Sequence, residues 1–494
     1  MTPKTKQVCA LLAGPLVAAI LLMIDPLPGL TPLGMKALAG ALWFLIWLMF
    51  EPISLVAASV WAVVIFVILG VTTPKQAFSY FGTPTIMLLF GATMILGVWT
   101  ESNFIQRYSI KALTMPFIKG KTKNFIFAFV AAASILSCIT PNIPVVILFC
   151  TLATTIAKEF NIKPGEGNLI RMLCVLSLFC ANVGGIATPL GGAPNMTTIA
   201  MTSKMLNTQI EFWQWCMIGI PVAAAVMLVS TIVCFYLFPL KENERHTLPF
   251  AASFLREKEE KLGPISRYEK IAVVVMAFAM FMWVVVPPLM GPLGLKKYAA
   301  LTGAPFVAMA IAALLLVIPV RTDEKTGRFV FAMSWPQSQK NILWGVLVLI
   351  MASTLMGDAL VKGGIDKWMA SGISNALGDI STFWAWTSLV FLTGFVSQFA
   401  ANSGTITLFV PITVALAPVY GFHPLAACIT VGIAANLASM FPFSAPPVAV
   451  AVESSGAYIK PTDFAIGGFI ILVLGTAAIM AVAWPLAGMI FPPM

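Results

Sequence analysis

Residues 181–195 read ANVGGIATPLGGAPN, which places four glycines and two prolines in one short stretch. Glycine and proline at this density interrupt an α-helix. The surrounding run, 172–203, carries no charged residue and is long enough to cross a bilayer. A second interrupted run, ANLASMFPFSAPP, occupies residues 435–447. We therefore predict two long apolar helices, 172–203 and 424–452, each broken near its middle.

The composition is typical of a polytopic membrane protein. Of 494 residues, 59% are hydrophobic and only 10% are charged, whereas about a quarter of the residues of a soluble protein are charged. This composition excludes soluble enzymes and nucleic-acid-binding proteins, and the net charge of +10 fits the basic cytoplasmic loops of membrane proteins. The eight cysteines include no CxxC pair, so we expect neither a structural metal nor another bound cofactor.

Two charge-poor regions do not fit a simple count of spans. The segment 124–157 has 34 residues without a charge, too many for one helical span and too few for two spans with a turn. Pro141 and Pro144 interrupt this segment, which predicts a re-entrant hairpin of two half-helices. The segment 380–420, interrupted near Asn402, predicts a second hairpin that enters from the opposite side.

The positive charges predict the orientation. With a cytoplasmic N-terminus and a first helix within 1–30, 22 of the 29 Lys and Arg residues lie on the cytoplasmic side, where such residues accumulate. The C-terminus then lies outside. The charge-rich segment 241–270 is predicted to be a cytoplasmic linker between the halves 31–240 and 271–494. An odd number of spans separates the two broken helices, which makes the halves inverted repeats.

Inverted repeats with broken helices are typical of secondary transporters. At each break, helix N-termini attract an anion and unpaired carbonyl groups bind a cation. The predicted hairpin tips and breaks contain no Arg, Lys or His. Helix N-termini, amide donors and bound cations must therefore neutralise an anion bound there.

The chain resembles the divalent anion/sodium symporter family, which includes dicarboxylate and citrate carriers and antiporters. The resemblance covers nearly the whole chain. It rests on the motifs Glu51-Pro52-Ile53, Phe81-Gly82-Thr83-Pro84-Thr85, Gly191-Gly192-Ala193-Pro194-Asn195 and Ser444-Ala445-Pro446-Pro447. It implies an all-α fold of about eleven transmembrane helices plus two re-entrant hairpins. It also implies a homodimer in the cytoplasmic membrane that works as an elevator-type transporter.

The family's hairpin tips carry Ser-Asn-Thr, and this chain departs from that motif. The second tip becomes Ala401-Asn402-Ser403, with one hydroxyl lost. By spacing, the first tip becomes Thr140-Pro141-Asn142, although a register shifted by two residues is an alternative. The substrate-binding residues implied by the resemblance are Thr140, Asn142, Asn402, Ser403, Gly192, Ala193, Pro194, Asn195, Ala445 and Pro446. The implied sodium ligands are Thr140, Gly191, Ser397, Ala401, Asn402 and Ser444.

The sequence therefore favours a carrier of small organic anions, such as succinate, malate or citrate, coupled to sodium. Because the first tip lacks the usual motif, sodium-independent anion exchange is an alternative. An intramembrane enzyme is a remote alternative, since such an enzyme needs clustered Asp, His or metal ligands at one membrane face. The dense acidic cluster Glu257–Glu260 lies instead in the mixed-charge linker.

Overall fold

The computed structural model describes residues 3–118, 121–159, 161–245, 255, 257–324, 326–442 and 444–491. Part of the predicted linker, residues 246–254 and 256, lies outside the described residues, as do the last three residues of the chain. The described residues are almost entirely helical, with one two-stranded sheet.

The first half of the chain contains eleven of the described α-helices. They are α1 Pro3–Met23, α2 Pro32–Phe50, α3 Leu55–Ile68, α4 Pro74–Ser79, α5 Pro84–Glu101, α6 Phe104–Leu113, α7 Thr122–Ser137, α8 Asn142–Glu159, α9 Leu169–Gly185, α10 Ala193–Met205 and α11 Phe212–Leu237. Short 3-10 turns lie at Tyr80–Gly82, Pro116–Ile118, Pro189–Gly191 and Glu242–Arg245.

The second half begins with α12, Arg267–Leu289, which contains a π-helical stretch at Phe281–Val285. The remaining helices are α13 Ala299–Thr302, α14 Ala304–Leu315, α15 Trp335–Asn341, α16 Trp344–Lys362, α17 Ile365–Leu377, α18 Thr382–Val396, α19 Asn402–Tyr420, α20 Pro424–Ala435, α21 Pro446–Ser454 and α22 Pro461–Ile490. A 3-10 turn lies at Lys296–Tyr298. Strands β1 Pro319–Thr322 and β2 Phe329–Phe331 form an antiparallel pair in which Arg321 lies opposite Val330.

Proline begins many of these helices. Pro32, Pro84, Pro424, Pro446 and Pro461 are each the first residue of a helix. A proline at this position loses no hydrogen bond, because the first N–H groups of a helix have no partner within it. In the second broken run, Pro446 therefore starts the helix that follows the break.

Nine helices among the described residues are long and apolar enough to cross a membrane. Two of them, α8 and α19, are the second arms of the predicted hairpins, and the other seven lie outside the predicted hairpins and broken helices. Other apolar helices, among them α3 and α14, are shorter, and α9–α10 and α20–α21 are pairs separated by a break. The all-α polytopic fold is confirmed.

The broken helices lie at the centre of the bundle. Every residue of α9 except Arg171 is buried, and so is every residue of α20. The predicted hairpin 124–157 contains α7 and α8, which pack against each other and against α9. The predicted hairpin 380–420 contains α18 and α19, which pack against each other and against α20.

Glycine allows the first hairpin to approach the first broken helix closely. A Cβ atom at Gly184 would lie 2.4 Å from the carbonyl oxygen of Ser134 in α7. Since a side chain cannot fit in that space, Gly184 allows backbone-to-backbone packing of α9 against α7. The packing holds the first hairpin beside the first break.

Candidate functional site

The two breaks and the two hairpin tips surround a cavity of about 750 Å³. Its polar lining comes mainly from four chain segments: the tips around Asn142 and Asn402, and the breaks around Gly192 and Ala445. A further wall is formed by the α2–α3 junction and by the start of α16. The lining from this wall includes Glu51, Leu55, Val56, Leu343, Trp344, Gly345, Val346 and Leu349.

Four helices of the hairpins and broken helices begin at this cavity, as do α3 at Leu55 and α16 at Trp344 in its further wall. Helix α8 begins at Asn142, α10 at Ala193, α19 at Asn402 and α21 at Pro446, and all four residues line the cavity. The N-terminal N–H groups of a helix carry about half a unit of positive charge. The cavity therefore has a positive potential that comes from the backbone, which favours a bound anion.

The side chains add no positive charge. Among the described lining residues there is no Lys, Arg or His, and Glu51 is the ionisable group. Glu51 caps the C-terminus of α2 in the left-handed conformation, with φ of 44°. The described residues hold no group of three or more His, Cys, Asp or Glu side chains that could bind a metal ion.

Most of the residues predicted for the site line this cavity. They are Asn142, Gly191, Gly192, Ala193, Pro194, Ala401, Asn402, Ser403, Ser444, Ala445 and Pro446. The structure does not bring Thr140, Asn195 and Ser397 to the cavity surface. The hydroxyls of Thr140 and Ser397 donate to backbone carbonyls of their own hairpin arms, at Leu136 and Gly394.

The two tips become equivalent when Asn142 is matched with Asn402. Each asparagine is the first residue of the second hairpin arm, and each lines the cavity together with its two neighbours, Pro141 and Ile143 or Ala401 and Ser403. This register differs by one residue from Thr140-Pro141-Asn142, because α8 starts one residue later than that match requires. Under this register, Ile143 occupies the place that Ser403 holds in the second tip.

The comparisons with known proteins agree with this architecture. Residues 5–490 match the family described as "Sodium:sulfate symporter transmembrane region". The chain belongs to this family. It is 24% identical over 485 residues to the sodium-dependent dicarboxylate transporter SdcS of Staphylococcus saprophyticus, covering 97% of this chain and 91% of that one. SdcS of Staphylococcus aureus strain MRSA252 is 24% identical over 489 residues, with the same coverage.

This symporter-family chain is thus a multi-pass membrane transporter and not an enzyme, as the sequence predicted. A solved structure of Neisseria gonorrhoeae MtrF, from a study of a class of antimetabolite efflux pumps, resembles it with a TM-score of 0.54 over 84% of both chains. At 10% sequence identity, that likeness concerns the fold alone.

Two cavity residues that the sequence did not predict for the site link the breaks of the symporter-family chain. Asn436 Nδ2 donates to Asn195 Oδ1 at 3.0 Å, and Asn182 Nδ2 donates to the carbonyl of Ala438 at 3.0 Å. Asn195 in turn donates to the carbonyls of Gly185 and Thr188, both at 2.8 Å. One asparagine from each half of the chain therefore forms a hydrogen bond with the break of the other half. A buried asparagine in the last turn of an apolar helix was the signal that could have revealed both residues.

The tips are tied to the breaks by amides as well. Asn142 fits with its amide nitrogen towards the carbonyl oxygens of Gly191 and Ala181, at 2.9 and 3.1 Å. Gln398, just before the second tip, donates to the carbonyl of Leu437 at 3.1 Å and accepts from the N–H groups of Ser439 and Met440, both at 3.0 Å. The four segments around the cavity are therefore held together by neutral hydrogen bonds.

One polar atom at the cavity has no partner. Asn402 Oδ1 is buried and accepts no hydrogen bond from the described residues. A buried acceptor without a partner destabilises a structure by about 1–3 kcal/mol. A carbonyl-type oxygen is also a ligand that small hard cations prefer. The arrangement can therefore bind an anion through N–H groups and a cation through Asn402 Oδ1.

Proposed function

We propose that this chain carries small organic anions, of the di- or tricarboxylate class, across the membrane together with sodium. The observation that supports the proposal most directly is the charge balance of the central cavity. Six helix N-termini meet there, no described lining residue is cationic, and one buried oxygen atom, Asn402 Oδ1, has no partner.

An order-of-magnitude charge count favours a bound cation. Six helix N-termini of about +0.5 each, offset by the C-terminal end of α2 at Glu51, supply roughly two and a half positive charges. A dicarboxylate and an ionised Glu51 together carry three negative charges. Uncompensated charge at membrane depth costs several kcal/mol. At least one monovalent cation would balance the occupied cavity.

The relatives support sodium as that cation and dicarboxylates as the substrate class. The two SdcS proteins are named as sodium-dependent dicarboxylate transporters and align over nearly the whole chain. Succinate, malate and citrate, which each carry two or more carboxylates, suit a cavity at which several helix N-termini meet.

The second tip is the better candidate for a sodium site. The unpartnered Oδ1 of Asn402 lies beside Ala401, and both residues and Ser444 line the cavity. Ser397, like Thr140, does not line the cavity, so the proposed site rests on Asn402, Ala401 and Ser444. At the first tip, Gly191 lines the cavity but Thr140 does not, which leaves that site with backbone ligands.

The proposed mechanism is an elevator. The two halves 31–240 and 271–494 act as inverted repeats, and their hairpins and broken helices move together against the other spans. The asparagine bridges between the two breaks support a single moving unit. We place the protein as a homodimer in the cytoplasmic membrane, with a cytoplasmic N-terminus and the C-terminus outside.

The test is uptake of labelled succinate, citrate and 2-oxoglutarate by proteoliposomes. Sodium outside is compared with choline outside, in the presence and absence of unlabelled anion inside. Sodium symport predicts uptake that requires external sodium and no internal anion. Because Thr140 lies away from the cavity, sodium-independent exchange is the second candidate. Uptake that is independent of external sodium and requires internal anion would establish exchange instead.

A further inference from the structure

A second cavity, of about 450 Å³, lies where two spanning helices end. Glu101 is the last residue of α5, and Arg267 is the first residue of α12. The β1–β2 hairpin and α15 complete the walls. The lining residues are Glu101, Ser266, Arg267, Tyr268, Val320, Arg321, Val330, Phe331, Ala332 and Gln337.

Two arginines of this cavity have no carboxylate partner. Neither Arg267 nor Arg321 forms an ion pair with any of the described residues. By contrast, Arg107 and Arg171 each pair with a buried carboxylate, at Glu269 and Asp463 respectively. The guanidinium groups of Arg267 and Arg321 are therefore available to an external anion. Planar guanidinium groups bind phosphate through two parallel hydrogen bonds.

The position of the cavity is that of a lipid headgroup. Because α5 and α12 are long enough to cross the bilayer, their ends mark the membrane–water interface. Large aromatic side chains are exposed in β2 and at the start of α15, the elements that form its walls: Phe329, Phe331 and Trp335 are 65%, 43% and 48% exposed. Exposed aromatic residues of this kind concentrate at the headgroup level of membrane proteins. Basic pockets beside spanning helices at this level bind lipid phosphates.

Glu101 limits which lipid headgroups the cavity can bind. Its carboxylate also lines the cavity, and it forms no ion pair among the described residues. A purely anionic headgroup would be repelled by this carboxylate. A headgroup with a phosphate and a primary ammonium group complements all three charges.

We propose that this cavity binds the headgroup of an aminophospholipid, with the phosphate against Arg267 and Arg321 and the ammonium against Glu101. The apolar walls formed by Val320, Val330 and Phe331 accommodate the glycerol end. Free phosphate shares the arginine chemistry but has no group for Glu101. The site is separate from the central cavity, and the proposal is independent of the transported substrate.

The experiment titrates the full-length protein in detergent with short-chain phosphatidylethanolamine, phosphatidylglycerol, phosphatidylcholine or sodium phosphate. The shift in thermal unfolding gives an apparent Kd for each. We expect phosphatidylethanolamine to bind more tightly than the other three. Arg321→Gln should weaken its binding about tenfold, which corresponds to about 1.4 kcal/mol, because it removes a charged donor to the phosphate.

Two further variants make the test specific. Glu101→Gln should weaken binding of phosphatidylethanolamine and leave that of phosphatidylglycerol unchanged or stronger. Arg328→Gln, in the same hairpin but outside the cavity lining, is the matched control. It should change the apparent Kd of neither phosphatidylethanolamine nor phosphatidylglycerol. The proposal would be wrong if Arg328→Gln weakened phosphatidylethanolamine binding as much as Arg321→Gln does. It would also be wrong if Glu101→Gln left the preference for phosphatidylethanolamine over phosphatidylglycerol unchanged, or if sodium phosphate bound as tightly as the lipid.

Discussion

Asn436 and Asn195 are joined by a buried hydrogen bond of 3.0 Å between the two broken helices. Asn436 belongs to the end of α20 and Asn195 to the start of α10, so the bond connects the two halves of the chain. Asn195 is fully buried, and its own amide nitrogen donates to two carbonyls of the first break. The Asn195 side chain thus fixes the geometry of the first break and accepts a hydrogen bond from the second.

We predict that Asn436→Ala lowers both stability and transport. The substitution leaves Asn195 Oδ1 without a donor in a buried position, which costs about 1–3 kcal/mol. It also removes a second bond, from Asn436 Nδ2 to the carbonyl of Gly432 at 2.9 Å. Thermal unfolding in detergent should show a lower Tm, and uptake should fall more than tenfold.

The control for this prediction is Asn375→Ala, at an exposed position of α17. This variant should retain the wild-type Tm and uptake. The double variant Asn436→Ala/Asn195→Ala should be less destabilised than the sum of the single variants, because the lost bond is counted once. Strict additivity would show that the bridge contributes nothing.

Asn402→Ala should act on sodium rather than on folding. Asn402 Oδ1 accepts no hydrogen bond from the described residues, so its removal leaves no donor unsatisfied. We expect the Tm to change little in the absence of sodium. The sodium concentration for half-maximal uptake should rise at least tenfold. An unchanged sodium dependence would show that Asn402 does not bind the cation.

Asn142→Ala tests whether the first tip has a structural role where the second tip binds sodium. Asn142 holds the carbonyls of Gly191 and Ala181, so its loss should lower the Tm in the presence and absence of sodium alike. If Asn142→Ala instead changes only the sodium dependence, the first tip is also a sodium site.

Glu51→Gln should tighten substrate binding. Glu51 brings a negative charge to a cavity whose described lining contains no cationic side chain. At about 10 Å and an intermediate dielectric constant, the repulsion of a like charge is on the order of 0.5–1 kcal/mol. We expect the KM for succinate to fall about two- to fivefold at saturating sodium. Glu51→Asp keeps the charge and serves as the control; a higher KM in Glu51→Gln would instead place a cation at this carboxylate.

The sequence alone predicts the broken helices and the charge-poor segments, because glycine, proline and missing charges act locally or over one span length. The register of the first tip could not be predicted in this way. It depends on the residue at which α8 begins, and a shift of one residue replaces Pro141 by Asn142 at the place equivalent to Asn402. Glu51 was recognised as part of a motif, but its place in the cavity depends on how the α2–α3 junction packs against the tips.

Asn182 and Asn436 illustrate the same limit. Their residue type and position before a break are visible in the sequence. Their partners, Ala438 and Asn195, are about 250 residues away along the chain. Such long-range pairs follow only from the way the two halves meet in the folded protein.

A last prediction concerns the other end of α10. Lys204 Nζ lies 3.3 Å from Asp358 Oδ1 in α16, and Tyr80 donates its hydroxyl to Asp358 Oδ2 at 2.5 Å. Lys204 also lies 5.4 Å from the centre of the Tyr80 ring. In the proposed elevator, α10 moves while α16 and Tyr80 stay in place, so the ion pair must break when the cavity changes sides. The contact then stabilises the observed conformation over the opposite one.

Lys204→Met should therefore shift the conformational equilibrium, whereas Lys362→Met should not. Lys362 contacts Asp358 at 2.7 Å within the same helix, so this pair is preserved during the movement. Leu343 lines the cavity and is 39% exposed, which makes Leu343→Cys a suitable reporter in a background with Cys9 and Cys138 changed to serine. A partly exposed pair contributes about 0.2–1 kcal/mol, so labelling of the reporter by a maleimide should slow by up to about fivefold in Lys204→Met. Equal labelling rates in the two lysine variants would show that the Lys204 contact does not distinguish the two conformations.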